Sequence, residues 1–181
     1  MMPAMRLDPA TSLLAIIDVQ ERLLPVIPGG DQVVHRCTRL ATAAGLLGVA
    51  TVVTEQYPQG LGRTAAPLAA VVPPAASKMT FSCCGCEAFL AAATGVDAVV
   101  LAGLETHVCV AQTALDLLAR GLVVFIAVDA VASRHALDHD VALRRLEAAG
   151  AILTTSEAVL FEWCRSAEHP RFQEVRRLVL G

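Results

Sequence analysis

Fourteen residues of this chain are lysine or arginine, and only Lys78 is a lysine. Arginine stays charged at any accessible pH and meets the ordinary need for positive charge, so the exception points to a task a guanidinium does not suit. An ammonium is compact and titratable and approaches a single atom as a point charge, which fits a catalytic centre. Two other reactive side chains hold comparable places. Asp18 ends the apolar run 12–17, and Cys109 follows the run 98–101, at the opening of a helix expected to begin near Thr106 or His107. An acid, an ammonium and a thiol would then face one cleft, with Cys109 as the candidate nucleophile. The first turn of a helix presents unpaired N–H groups and the positive end of its dipole, so it favours a thiolate at Cys109. Taken singly, each residue has another reading: Cys109 as a buried structural thiol or metal ligand, Asp18 as a turn or cap carboxylate, Lys78 as a solvated loop residue.

The elements that must position them follow from periodicity. Short apolar runs at 12–17, 50–53, 71–76, 98–101 and 122–128, with 151–153 as a last one, read as buried strands. Between them lie helical spacings: Val33, Cys37, Leu40, Ala44 and Leu47; Val110, Ala114, Leu117 and Leu118; Ala142, Leu146 and Ala149. Gly45, Gly48, Gly95, Gly121 and Gly150 fall at or beyond the expected helix ends, and Pro170 suits the first turn of a closing helix with Phe172, Val175 and Val179. Such alternation predicts a doubly wound α/β domain with a mostly parallel sheet, taken as one unit over 1–181. In such a sheet, ligands bind at the carboxyl ends of the strands, where Asp18, Lys78 and Cys109 all fall.

Composition narrows the function classes. A formal charge of −3 and a pI near 5.9, with scattered arginines, give no electrostatic footprint for nucleic acid. No apolar run reaches the ~18 residues a membrane span needs, and the opening residues lack the apolar core of a signal peptide. Six cysteines (37, 83, 84, 86, 109 and 164) do not form the framework of a small secreted protein. The expectation is a cytoplasmic protein with reduced thiols. The glycine fingerprint of a dinucleotide-binding domain is missing after the first run, where Asp18-Val-Gln-Glu-Arg22 stands instead.

Asp18-Val-Gln20, Lys78-Met-Thr-Phe-Ser82 and Gly103-Leu-Glu-Thr-His-Val-Cys-Val110 resemble the isochorismatase-like cysteine hydrolases. The segments 54–62 and 150–157 are similar to the branch called isochorismatase domain-containing proteins, and the likeness spans essentially the whole chain. The resemblance implies a three-layer α/β/α fold with about six strands, with Asp18 as base, Lys78 as cation and Cys109 as nucleophile. It further implies a cis peptide at Leu104–Glu105 that turns the Glu105 N–H beside that of Cys109 as an oxyanion hole. Gln20, Gln56, Phe81 and His107 are expected to face the substrate. The expected function is hydrolysis of a small amide, related C–N compound or ester through a Cys109 acyl-enzyme; the other reading is a catalytically idle binding or interaction module.

The nicotinamidase branch of that family binds metal through an Asp-x-His pair and a further histidine, and no histidine occurs here between His35 and His107. No cofactor and no catalytic metal are therefore expected. Cys83, Cys84 and Cys86 lack a second ligand pair, which favours core packing or a nonessential surface cluster. His107 stands two residues from Cys109, a spacing that turns helical side chains apart, so it suits a pocket or structural role more than a Cys-His dyad. Asp129, Ser133 and Arg134 follow the fifth run and are read as loop braces first and substrate contacts second. Leu160 to Trp163 is either a subunit contact or ordinary core, and a homo-oligomer is expected.

Overall fold

The computed structural model describes residues 6–180; Met1 to Met5 and Gly181, the ends of the 1–181 unit, lie outside the described residues. Six strands, β1 (Ser12–Ile17), β2 (Ala50–Gln56), β3 (Ala76–Lys78), β4 (Ala98–Leu104), β5 (Val123–Ala132) and β6 (Ile152–Thr154), pair in parallel in the order β3-β2-β1-β4-β5-β6. Long helices α1 (Gly30–Leu47), α5 (Ala111–Ala119), α6 (Ala136–Ala148), α7 (Ser156–Cys164) and α8 (Phe172–Leu180) cover the sheet, together with the short α2 (Pro58–Leu61), α3 (Ala66–Ala69) and α4 (Glu87–Ala92). This is the three-layer α/β/α architecture that the alternating pattern predicts.

Every residue of β1 is buried, because the pleat sends alternate side chains into two separate cores. Leu14 and Ile16 join Leu40 and Ala44 of α1 and Val159 and Trp163 of α7. Leu13, Ala15 and Ile17 join Phe89 of α4, Ala114 and Leu117 of α5 and Leu146 of α6. Burying each leucine or isoleucine contributes about 1.5–3 kcal/mol, so the central strand is held from both faces. In α1 the buried Val33, Cys37, Leu40 and Ala44 recur at helical spacing, and the helix stops at Gly48, whose φ of 73° lets its N–H return to the Ala44 carbonyl.

Strand order reverses between β1 and β4, which opens the crevice where such sheets bind ligands. Register then aligns the strand ends: Ile17 lies beside Thr54 of β2 and Gly103 of β4, and Gln56 lies beside Lys78.

Several boundaries differ from the sequence expectation. The third strand is not 71–76 but Ala76–Lys78, because Val71 closes a turn after α3 and Pro73 and Pro74 have no N–H to give a ladder. Gly45 sits inside α1 rather than at its end, and β4 and β5 continue to Leu104 and Ala132 past a register shift between Leu101 and Gly103. Trp163 and Leu160 are core, while Phe161 of the same helix is exposed. Cys83, Cys84 and Cys86 are all buried and unpaired, the packing alternative for that cluster.

Gly103 is the tightest point of the frame. Its φ is 116°, and a Cβ there would lie 2.0 Å from the Ile17 carbonyl oxygen and 2.7 Å from its nitrogen. Gly103→Ala is expected to cost about 3 kcal/mol or more, since backbone rather than a flexible side chain must yield. Urea unfolding checks this; an unchanged midpoint would show that β1 and β4 can separate at that point.

Candidate active site

Asp18 leaves β1 with φ of 53°, a left-handed turn that aspartate tolerates better than most side chains. Its N–H still bonds to the Thr54 carbonyl (3.1 Å), and its own carbonyl accepts the Gln20 N–H (2.9 Å). The carboxylate is buried, with one oxygen accepting the Thr54 hydroxyl at 2.8 Å and the other accepting Lys78 Nζ at 2.7 Å. Lys78 also donates to Gln56 Oε1 (3.0 Å) and to the carbonyls of Phe81 (3.0 Å) and Thr80 (3.2 Å). Burial alone would lower the Lys78 pKa, but Asp18, with smaller help from Cys83 and Cys109, outweighs it and holds the ammonium above its ordinary value.

Cys109 is buried in a π-turn, Thr106–Val110, that runs straight into α5. The Leu104–Glu105 peptide just before that turn is cis. Thr113, one turn on, donates its hydroxyl to the Cys109 carbonyl (2.7 Å) and accepts the Cys83 N–H (2.9 Å), which ties the nucleophile turn to the loop after β3. The surroundings of the sulfur oppose the thiolate that the helix end and Lys78 favour. Burial pushes the Cys109 thiol well up, the Asp18 charge and a hydrogen bond to Asp18 push it further, and Lys78 offsets only part of this. Cys83 is pushed up to about 11, first by burial, with Lys78 opposing and Asp18 adding to the rise. Their surroundings thus favour the neutral thiol form of both sulfurs.

These groups open onto a cavity of about 220 Å³ lined by Asp18, Gln56, Glu105, Cys109 and Arg134, with Leu23, Leu61, Phe81 and Val108 as apolar walls. Gln56 and Phe81 thus stand at the cavity. Gln20 does not: its amide accepts the Gln56 N–H (2.8 Å) and donates to the carbonyls of Gln56 (3.0 Å) and Gly62 (2.8 Å), splicing the chain after β1 to β2. His107 is not among the cavity's lining residues, and its Nδ1 is paired with the Ser133 hydroxyl at 2.9 Å. Asp129 braces the start of α7, accepting the Ser156 N–H (2.6 Å) and hydroxyl (2.5 Å). Arg134 reaches the cavity, with its main-chain N–H (3.0 Å) and Nε (2.9 Å) both donating to Glu105 Oε1. Leu23, Leu61 and Val108 carry no sequence signal beyond being apolar, and only the chain path brings them there. Among the described residues, no group of three or more His, Cys, Asp or Glu side chains is arranged to hold a metal ion.

A parallel α/β/α fold with an acid, an ammonium and a thiol converging at its switch point defines a class that comparison identifies. The isochorismatase domain family model matches residues 12–158, and the chain belongs to that family. Isochorismatase domain-containing protein 1 of Danio rerio is 44% identical over 177 residues; the match covers 96% of this chain and 62% of that protein, so the chain spans less than two thirds of that relative. Among solved structures, one described as MAR1 ribonuclease from Caenorhabditis elegans is 41% identical with a TM-score of 0.94, covering 98% of this chain and 93% of its own. Two YcaC structures are each 26% identical and cover 99% of this chain. The one from Pseudomonas aeruginosa, with hexane-2,5-diol and covalent acrylamide, has a TM-score of 0.84 over 98% of its length. The one from Escherichia coli, described as an octameric hydrolase of unknown specificity, has a TM-score of 0.86 over 97%.

The buried pair gives a stability test. Removing one partner of a buried ion pair typically costs about 3–5 kcal/mol, so Asp18→Ala and Lys78→Met should each lose on that scale, with the double variant recovering part of the loss. Because the folded Lys78 pKa lies above its ordinary 10.5, the pair's contribution is full below that pH and is lost as pH rises through the folded value. Urea unfolding of all four proteins at pH 8 and above 10.5 reads both effects; strictly additive losses would show that the pair is not coupled.

Proposed function

We propose that this chain is a cysteine hydrolase that cleaves a small amide, related C–N compound or ester through an acyl-enzyme on Cys109. The observation that carries the reading is that Asp18, held 2.7 Å from the buried Lys78 Nζ, lines one small cavity together with Cys109. In the proposed sequence Asp18 takes the thiol proton as sulfur attacks the acyl carbon, so charge appears only when substrate is present. Lys78 stabilises the ionised carboxylate before transfer and the sulfur anion as it forms. The N–H groups of Glu105 and Cys109 receive the developing oxyanion. Asp18 then returns the proton to the leaving group and activates the water that frees the acyl-enzyme.

A cavity of about 220 Å³ with four apolar walls favours a compact acyl group. The ribonuclease description of the Caenorhabditis elegans neighbour is not carried over, since a net charge of −3 and a cavity this small suit a small molecule better than a polyanion. The raised Cys109 thiol favours the second reading, an idle binding module, unless Asp18 acts as base. Assembly as a homo-oligomer, as described for the octameric relative, fits the exposed Tyr57, Met79 and Phe81 beside the cavity. Six unpaired cysteines fit a reducing compartment such as the cytoplasm.

Acrylamide separates the two readings. Wild-type protein should take one acrylamide on the peptide carrying Cys109 and hydrolyse members of a small-amide panel. Cys109→Ala should lose turnover by about a thousandfold or more and take none at that position, with an unchanged unfolding midpoint. Turnover retained in Cys109→Ala would end the proposal, and a Cys109 inert to acrylamide in a protein inactive on the whole panel would support the binder.

A further inference from the structure

Cys83 is a second thiol beside the reacting groups, and the proposed reaction makes no use of it. It opens the short turn Cys83–Gly85 in the loop after β3 and is wholly buried. Two separate bridges tie it to the site. On one side its sulfur lies 3.5 Å from the Thr54 hydroxyl, which donates its single hydrogen to Asp18 at 2.8 Å. With that hydrogen committed, the Thr54 oxygen is the acceptor and the Cys83 S–H the donor, so a proton path runs from Cys83 to the carboxylate. On the other side the Thr113 hydroxyl accepts the Cys83 N–H (2.9 Å) and donates to the Cys109 carbonyl (2.7 Å), which sets the two cysteine backbones on either side of one oxygen. A charge on Cys83 raises the Cys109 pKa, and Lys78 lowers the pKa of both, so the two sulfurs share the field of one ion pair. The contacts of the neighbouring cysteines lead elsewhere: the Cys84 N–H bonds to the Ser82 hydroxyl, and the Cys86 sulfur lies 4.0 Å from the Ser77 carbonyl.

We propose that Cys83 and Cys109 form a peroxide-reactive dithiol, in which Cys109 is oxidised first and Cys83 resolves it as a disulfide. The co-reactant is hydrogen peroxide. In the first step the Cys109 sulfur attacks one peroxide oxygen, the S–O bond forms and the O–O bond breaks. The thiol proton, taken up by Asp18, leaves with the second oxygen as water; sulfur is oxidised to the sulfenic acid and the peroxide is reduced. In the second step the Cys83 sulfur attacks the Cys109 sulfur, the S–S bond forms and the S–O bond breaks. Hydroxide departs as water with the Cys83 proton, delivered through Thr54 and Asp18. The disulfide blocks the nucleophile but spares it from the sulfinic acid, and a dithiol reductant restores both thiols. The inference rests on the Cys109 nucleophile and Asp18 base of the hydrolase reading, not on turnover of any substrate.

Mass spectrometry of the reduced full chain, treated with hydrogen peroxide and then denatured, alkylated and digested, reads the outcome. Wild type should yield a linked Cys83–Cys109 peptide that dithiothreitol abolishes, with Cys84 and Cys86 alkylated. Cys83→Ala and Cys83→Ser should each lose that peptide and gain dithiothreitol-resistant sulfinic acid on Cys109, and thermal unfolding of both excludes a folding defect. Cys84→Ala should keep the link. Sulfinic acid on Cys109 of the wild type with Cys83 alkylated overturns the proposal, as does a link from Cys109 to Cys84 or Cys86. A Cys109 that takes acrylamide but is untouched by peroxide also overturns it and leaves the hydrolase reading standing. A Cys109 inert to both reagents, with the amide panel untouched, removes that reading and this inference with it.

Discussion

The ion pair between Lys78 and Asp18 is the constraint on which the site is built. Taking an ammonium and a carboxylate out of water costs several kcal/mol each, and mutual attraction repays this only when the remaining donors and acceptors are also satisfied. Here they are, since Lys78 meets three further oxygens and Asp18 the Thr54 hydroxyl. Satisfying the ammonium requires the carbonyls of Thr80 and Phe81 to turn inward, which wraps the loop after β3 around Nζ and sets Phe81 at the cavity. Converging oxygens around one point also fit a lysine in a chain otherwise furnished with arginine: an ammonium turns three N–H donors outward from a single atom, which a flat guanidinium cannot do.

The same pair decides the resting state of the sulfur. A thiolate at Cys109 would set a second anion beside Asp18 with one ammonium to share, in a place where burial already penalises charge. The low-energy arrangement keeps one carboxylate, one ammonium and one neutral thiol. A helix end can favour a thiolate, but the N-terminal dipole contributes only about 0.3–1 kcal/mol in most settings and does not overturn burial next to a carboxylate. Burial beside a carboxylate therefore favours the neutral thiol at Cys109.

What the sequence made legible follows the same physics. Hydrophobic period, helix stops and alternation revealed the sheet and its order of elements because β1, β4 and α1 are buried on regular faces. Asp18, Lys78 and Cys109 were visible because each interrupts an apolar setting or stands alone in type. The short β3 was misplaced because two prolines separate its ladder from the apolar run that seemed to contain it. Gln20 is expected at the substrate and His107 in a pocket or structural role, and the hydrogen bonds of both tie them to the frame. Side-chain direction after a left-handed turn or within a π-turn is not encoded in period, so neither could be settled before the chain path was known.

The side chains of the frame and those of the cavity walls are held in different ways. Thr54, Gly103 and the register of β1 against its two neighbours fix the acid and the turn that carries the thiol, and each is locked by backbone contacts on both sides. Phe81 and Arg134 come instead from the loop after β3 and from the end of the β5 segment, and their side chains are half exposed. A change at either alters the wall or charge of the cavity without touching the ladder that aligns Ile17, Thr54 and Gly103. Glu105 bridges the two, because its carboxylate holds Arg134 while its carbonyl accepts the N–H groups of Val108 and Val110 in the turn that carries Cys109. A displacement of the Arg134 side chain is therefore transmitted through Glu105 to the turn that carries Cys109.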